Sequence, residues 1–149
     1  MGETISQDSR KCAELMCRCC TRLCRVMNSI LAKTGVNMAQ CQTMSVLSEH
    51  GEMTMSALTG ELGVTMGAGT NVVDKLVDAS LVTRRHSESD RRIVKVKLTE
   101  KGNDTLKRDT ESLATFWSAV MEKVSPEKRT RFLEVYDEML QFAEEARGF

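Results

Sequence analysis

A chain of 149 residues suffices for one domain, or one domain with helical extensions, and it can bury a core without disulfide or metal staples. Lysine plus arginine and aspartate plus glutamate both number 21, which excludes a globally basic nucleic-acid binder and confines any polyanion-binding face to a local patch. No run approaches the roughly 18 apolar residues of a membrane span, and the polar start MGETISQDSRK lacks the pattern of a signal peptide, so no membrane contact and a cytoplasmic location are expected.

One proline, nine glycines and few aromatic residues point to a mainly α chain. In chain order, residues 6–33 carry a long helical stripe: Ala13, Met16, Cys20, Leu23, Met27 and Ile30 recur at steps of three and four, and Leu31 widens the stripe. Gly35 ends it. So long an amphipathic helix needs something to cover its stripe, and a second subunit is a natural candidate. Residues 38–50 form a second helix with Cys41, Met44 and Leu47 inward, stopped by Gly51.

Residues 53–80 then read as two short helices around a tight turn at Gly63. The first, over 55–62, turns Leu58 and Leu62 inward. Thr65 caps the second, over 66–79, whose Val72, Val73 and Leu76 face in. Two β-prone runs follow, 81–85 and 93–98, flanking a polar tip of Ser87, Glu88, Ser89, Asp90, Arg91 and Arg92. In the second run Val94, Val96 and Leu98 share one face, and Lys95 and Lys97 the other. A two-stranded ribbon with a basic face and an arginine-bearing tip suits a polyanion. Thr99 ends the strand and caps a helix over 103–124 that aligns Leu106, Leu113, Trp117, Val120 and Val124. Ser125 and Pro126 open the last helix, 127–147, with Phe132, Tyr136, Met139 and Ala143 at helical spacing.

Helix, glycine turn, helix and hairpin in this order make a winged helix-turn-helix. The run from Asp90 through Arg92, Ile93, Val94, Lys95, Val96, Lys97, Leu98, Thr99, Glu100 and Lys101 to Gly102 resembles the wing and following helix start of the multiple-antibiotic-resistance regulator (MarR) family. Leu58-Thr59-Gly60-Glu61-Leu62-Gly63-Val64-Thr65 and Val72-Val73-Asp74-Lys75-Leu76 resemble its helix-turn-helix. The resemblance implies one domain over 1–149, with a winged core at about 36–102 and dimerisation helices at about 6–33 and 103–149. It implies a homodimer, acting as a repressor on a pseudo-palindromic operator in double-stranded DNA. It also implies an effector: a small phenolic or lipophilic ligand, a metal or an oxidant.

By the same resemblance Arg92 enters the minor groove, Asp90 orients it or braces the hairpin, and Arg91 and Lys95 reach phosphates. Thr65, Met66, Gly67, Ala68, Thr70 and Asn71 lie toward the major groove, with Lys75 further along toward the backbone. The chain departs from the family here. Met66-Gly67-Ala68-Gly69 brings no side-chain donors where family members carry Ser, Thr, Lys or Arg, so readout shifts toward DNA shape, the thymine methyl and the wing. The bland alternative is that the two glycines only permit close packing.

Five of the six cysteines, Cys12, Cys17, Cys19, Cys20 and Cys24, fall within thirteen residues of the first helix. In the cytosol such a cluster speaks for free thiols or metal ligands over structural disulfides. Cys17, Cys20 and Cys24 form an i, i+3, i+7 ridge, and Arg18, Arg22 and Arg25 nearby favour thiolates. The readings are apolar filler for Cys20 and Cys41, a redox sensor as in family members with a first-helix cysteine, and a metal or iron–sulfur centre. The last is the weaker, because no second Cys-x-x-Cys pair exists to complete a ligand set. His50 and His86 read as surface or loop residues.

An enzyme is disfavoured. There is no Gly-x-x-x-x-Gly-Lys run, and two histidines and the scattered carboxylates Glu61, Asp74, Asp78 and Glu88 make no catalytic set. The remaining alternative is a winged-helix dimer acting as a metal- or redox-binding protein-interaction module without specific DNA binding.

Overall fold

Capping side chains set most helix starts. In the computed structural model, which describes residues 5–87 and 90–145, the elements are α1 (Gln7–Leu31), a 3-10 turn (Ala32–Thr34), α2 (Met38–His50), β1 (Met53–Thr54), α3 (Met55–Glu61), α4 (Met66–Asp78), β2 (Val82–His86), β3 (Val94–Leu98), α5 (Glu100–Glu122) and α6 (Pro126–Glu145). Ser6 accepts from the Ser9 N–H at the start of α1. Asn37 and Gln40 form a reciprocal capping box at α2. Thr54 and Thr65 cap α3 and α4. The fold is the expected mainly α winged helix. The expected end of the last helix at 146–147, and Glu88 and Ser89 of the tip, lie outside the described residues.

The sheet has one strand more than the expected two-stranded wing. β1 pairs antiparallel with β3, giving the order β1-β3-β2. Two residues are too short to show a period of two, so no pattern in the sequence announces β1. The wing register sets Val82 opposite Leu98, Arg84 opposite Val96 and His86 opposite Val94. Val96 and Leu98 are buried and Lys97 is exposed, as the alternation demands. Lys95 is only half exposed.

The chain divides into two units, residues 1–112 and 113–149. The core of the first is Met44, Leu47, Leu58, Val73, Leu76 and Val96, all essentially inaccessible, with Cys41 packed as a small hydrophobe. Thr59 and Met55 are buried alongside Leu58, while Leu62 is only half-buried. In the second unit, Phe116 and Trp117 meet edge to face and α6 buries no residue.

One charged group sits inside the first unit. Asp109 of α5 is 1% exposed. The Thr34 hydroxyl lies 2.6 Å from its Oδ1 and 2.8 Å from the Leu31 carbonyl oxygen, while Oδ2 has no partner. One hydroxyl proton serves two acceptors, and both contacts are satisfied when the carboxyl itself carries a proton. Burial pushes the Asp109 carboxyl up from its ordinary range, against the Thr34 hydrogen bond and Arg108. Burial, with Asp109 nearby, also pushes the Cys41 thiol up to about 11.

A carboxyl raised in the folded state stabilises fully below its unfolded value near 3.9, and that contribution is lost as pH rises through the folded value. Asp109→Asn, which cannot ionise, is therefore expected to be more stable than wild type at neutral pH by about 1 kcal/mol. The gap should close toward pH 4. Thermal denaturation of both proteins across that window checks it, and a gap independent of pH would contradict it.

Candidate nucleic-acid interface

Of the residues expected to contact a polyanion, Met66, Thr70 and Arg92 line one cleft in the first unit, and the rest lie outside its lining. α3 and α4 meet through the turn at Gly63, whose φ of +64° lies in the left-handed region that glycine enters without strain. Gly69 allows the close approach: a Cβ there would stand 2.3 Å from Thr59 Cγ2. The packing explanation thus holds for Gly69 and fails for Gly67, where a Cβ would meet nothing. Gly67 is an exposed glycine inside a helix, which costs about 1 kcal/mol relative to alanine, with no packing return within the chain.

The Thr65 hydroxyl accepts from the Ala68 N–H at 3.3 Å, and the Gly69 N–H bonds the Thr65 carbonyl. The first-turn N–H groups of Met66 and Gly67 have no helical carbonyl ahead of them, and they form the positive end of the helix dipole. Met66, Gly67, Ala68, Asn71 and Lys75 are exposed and Thr70 is half-buried. Asp74, on the same helix, pairs with Arg84 of β2 and ties α4 to the wing.

At the tip, Arg92 is held in place by its neighbour. Asp90 Oδ1 accepts from the Arg92 backbone N–H at 2.9 Å and from Nε at 3.2 Å, and Oδ2 accepts from Nη2 at 3.0 Å. These bonds hold the Asp90 carboxyl below its ordinary range. The Arg92 side chain is 91% exposed, so a guanidinium with a fixed root projects into solvent. Arg91 is exposed, and its carbonyl lies 2.7 Å from His86 Nδ1. His86 is therefore a strand residue that ties the tip, not a loop residue.

Lys95 is placed differently from a free phosphate contact. Glu52 binds Arg85 through two hydrogen bonds, at 2.9 and 3.1 Å, and lies 3.6 Å from Lys95. Those bonds, the one from Arg85 first, hold the Glu52 carboxyl below its ordinary range. Glu52 was invisible in the sequence because its link to the wing runs through β1. A signal existed only in the register that sets Thr54 opposite Lys95.

Between α3, α4 and the wing lies an open cleft of about 500 Å3, lined among others by Met55, Met66, Thr70, Arg84, Arg92 and Ile93. The start of α4 and Arg92 of the wing therefore border one concavity. The thiols of Cys12, Cys17, Cys19, Cys20 and Cys24 are all free and exposed along α1, away from this cleft in sequence. Among the described residues no three metal-ligating side chains converge.

The MarR family model matches residues 36–94. The uncharacterized HTH-type transcriptional regulator YfiV of Bacillus subtilis is 33% identical, over 55% of this chain and 58% of that protein. The transcriptional repressor MprA of Escherichia coli is 31% identical, over 76% of this chain and 73% of that protein. The chain spans about half the length of some relatives, 47% in the case of the repressor MdtR of Bacillus subtilis. Among solved structures, a mutant MarR of Escherichia coli complexed with operator DNA superposes with a TM-score of 0.73 at 21% identity, over 86% of this chain and 92% of that one.

Proposed function

The chain belongs to the MarR family, and from that premise we propose that it is a homodimeric, sequence-specific DNA-binding transcriptional regulator that acts as a repressor. The observation that carries this reading is the shared border of α4 and the wing: an open helix start with bare N–H groups and a projecting arginine rooted by Asp90. Relatives named as transcriptional repressors, and a neighbour in complex with operator DNA, support it. The helix start would enter the major groove, and Arg92 the narrow, negative minor groove beside it.

Arg92→Ala is expected to weaken operator binding by about 1–3 kcal/mol without changing fold or assembly. Fluorescence anisotropy at fixed salt measures it, and unchanged affinity would remove the wing tip from the contact. Lys95→Ala should matter less, because Glu52 already shares that charge.

Surface that one copy leaves in water supports the dimer. Leu15, Met16 and Val26 on α1 and Phe132, Leu133, Tyr136, Met139, Leu140 and Phe142 on α6 are exposed. Runs of apolar side chains at helical spacing mark an association surface. A small lipophilic or phenolic ligand, or oxidation or metallation of the α1 thiols, would release the DNA by changing how the two reading heads are spaced. The five exposed thiols favour the oxidant among these effectors. A metal or iron–sulfur centre would need thiolates from more than one copy to converge. Titrating reduced protein with peroxide or zinc while following operator binding decides it, with a Cys17, Cys20 and Cys24 triple serine variant as control. Full affinity under every treatment would leave the small ligand as effector.

A further inference from the structure

Beyond residues 5–31, the large hydrophobic side chains exposed in the first unit, among its described residues, are Val64, Met66 and Ile93, at 42, 49 and 39%. All three belong to the turn, the helix start and the wing that frame the cleft. Met66 and Ile93 line it together, with Arg84 and Arg92 at its edge. Exposed apolar groups gathered on one functional face mark what that face binds. Next to Met66 come Gly67, where nothing within the chain occupies the space of a Cβ, and Ala68, also exposed. Three consecutive positions at the reading end of α4 thus present a thioether, bare backbone and a methyl, with no side-chain hydrogen-bond donor or acceptor.

The floor of the major groove offers such a surface one apolar group, the C5-methyl of thymine. Met is long, unbranched and polarizable, and adapts to a methyl without a fixed rotamer. Arg92 beside Met66 and Ile93, assigned above to the negative minor groove, argues for duplex DNA as the occupant over an uncharged molecule.

We propose that α4 identifies its half-site chiefly through thymine methyl groups, packed by Met66 and Ala68, with Gly67 letting the backbone close on the groove floor. This rests on the DNA-binding reading above. Thr70 and Asn71, a turn further along, supply the polar contacts that set register.

The test uses the full chain and two random-duplex libraries, one containing thymine and one with uracil in its place. Uracil removes the major-groove methyl and leaves the minor-groove edge, where the wing binds, unchanged. The thymine library should yield a motif with thymines in each half-site. Replacing those thymines singly by uracil should weaken binding about four-fold for each contacted methyl. Met66→Ser should bind the thymine duplex more weakly and lose most of its preference over the uracil duplex. Equal affinity of wild type for the thymine and uracil forms of the selected site would overturn the methyl reading and leave DNA binding intact. Enrichment of no sequence from either library would overturn the DNA-binding reading itself.

Discussion

Gly102→Ala is expected to destabilise the first unit by about 3 kcal/mol, although alanine is the better helix former by about 1 kcal/mol. The steric term decides the sign. Gly102 is in the first turn of α5, and a Cβ there would stand 2.1 Å from the Leu81 carbonyl oxygen and 3.0 Å from Leu98 Cδ2. The obstruction is backbone, which cannot swing aside as a side-chain end would. That backbone is pinned as well: the Thr99 N–H bonds the Leu81 carbonyl at 3.1 Å, the Thr99 hydroxyl reaches the Ser80 carbonyl at 2.8 Å, and it accepts from the Gly102 N–H at 2.9 Å. Relieving the clash means opening the point where β2 begins, β3 ends and α5 starts. Gly67→Ala, at an open site, is the control and should gain about 1 kcal/mol. Denaturant midpoints at constant slope measure both. Equal stability of Gly102→Ala and wild type would show that this junction is looser than drawn.

Removing residues 1–30 is expected to abolish the dimer, leaving monomer at concentrations where the full chain is dimeric. In α1 only Leu31 is buried, so the helix contributes little to the core of its own chain. Together α1 and α6 leave ten large apolar side chains in water per copy, Val135 completing those named above. Covering them gains on the order of 1 kcal/mol for each half-exposed side chain, set against association costs of about 4–15 kcal/mol. Losing α1 takes three of the ten from each copy and brings the gain down into the range of that cost. Sedimentation equilibrium measures it, and a stable dimer of the truncated chain would move the interface elsewhere.

Local signals made most of this fold legible. Gly63, Gly35 and the caps at Thr65 and Thr99 act within a few residues, so chain order alone exposes them. The alternation from Val94 to Leu98 survives because one wing face packs on the core. What stayed hidden depends on residues brought together from afar. Asp109 meets Thr34 across 75 positions. Glu52 reaches the wing through a strand of two residues. The two glycines at the start of α4 look alike in sequence, and only Thr59 beside Gly69 separates packing from open space. The DNA-facing residues came by family resemblance; the structure adds the bond from Asp90 that roots Arg92 and the tie from Asp74 to Arg84.

The most direct test of the central claim is the affinity of the purified chain for its selected duplex relative to random duplex, measured by competition at physiological salt. A dimer-per-duplex complex is expected that prefers the selected site by at least about 10³-fold, with affinity falling steeply as salt rises. Affinities for selected and random duplex that agree within ten-fold would contradict it.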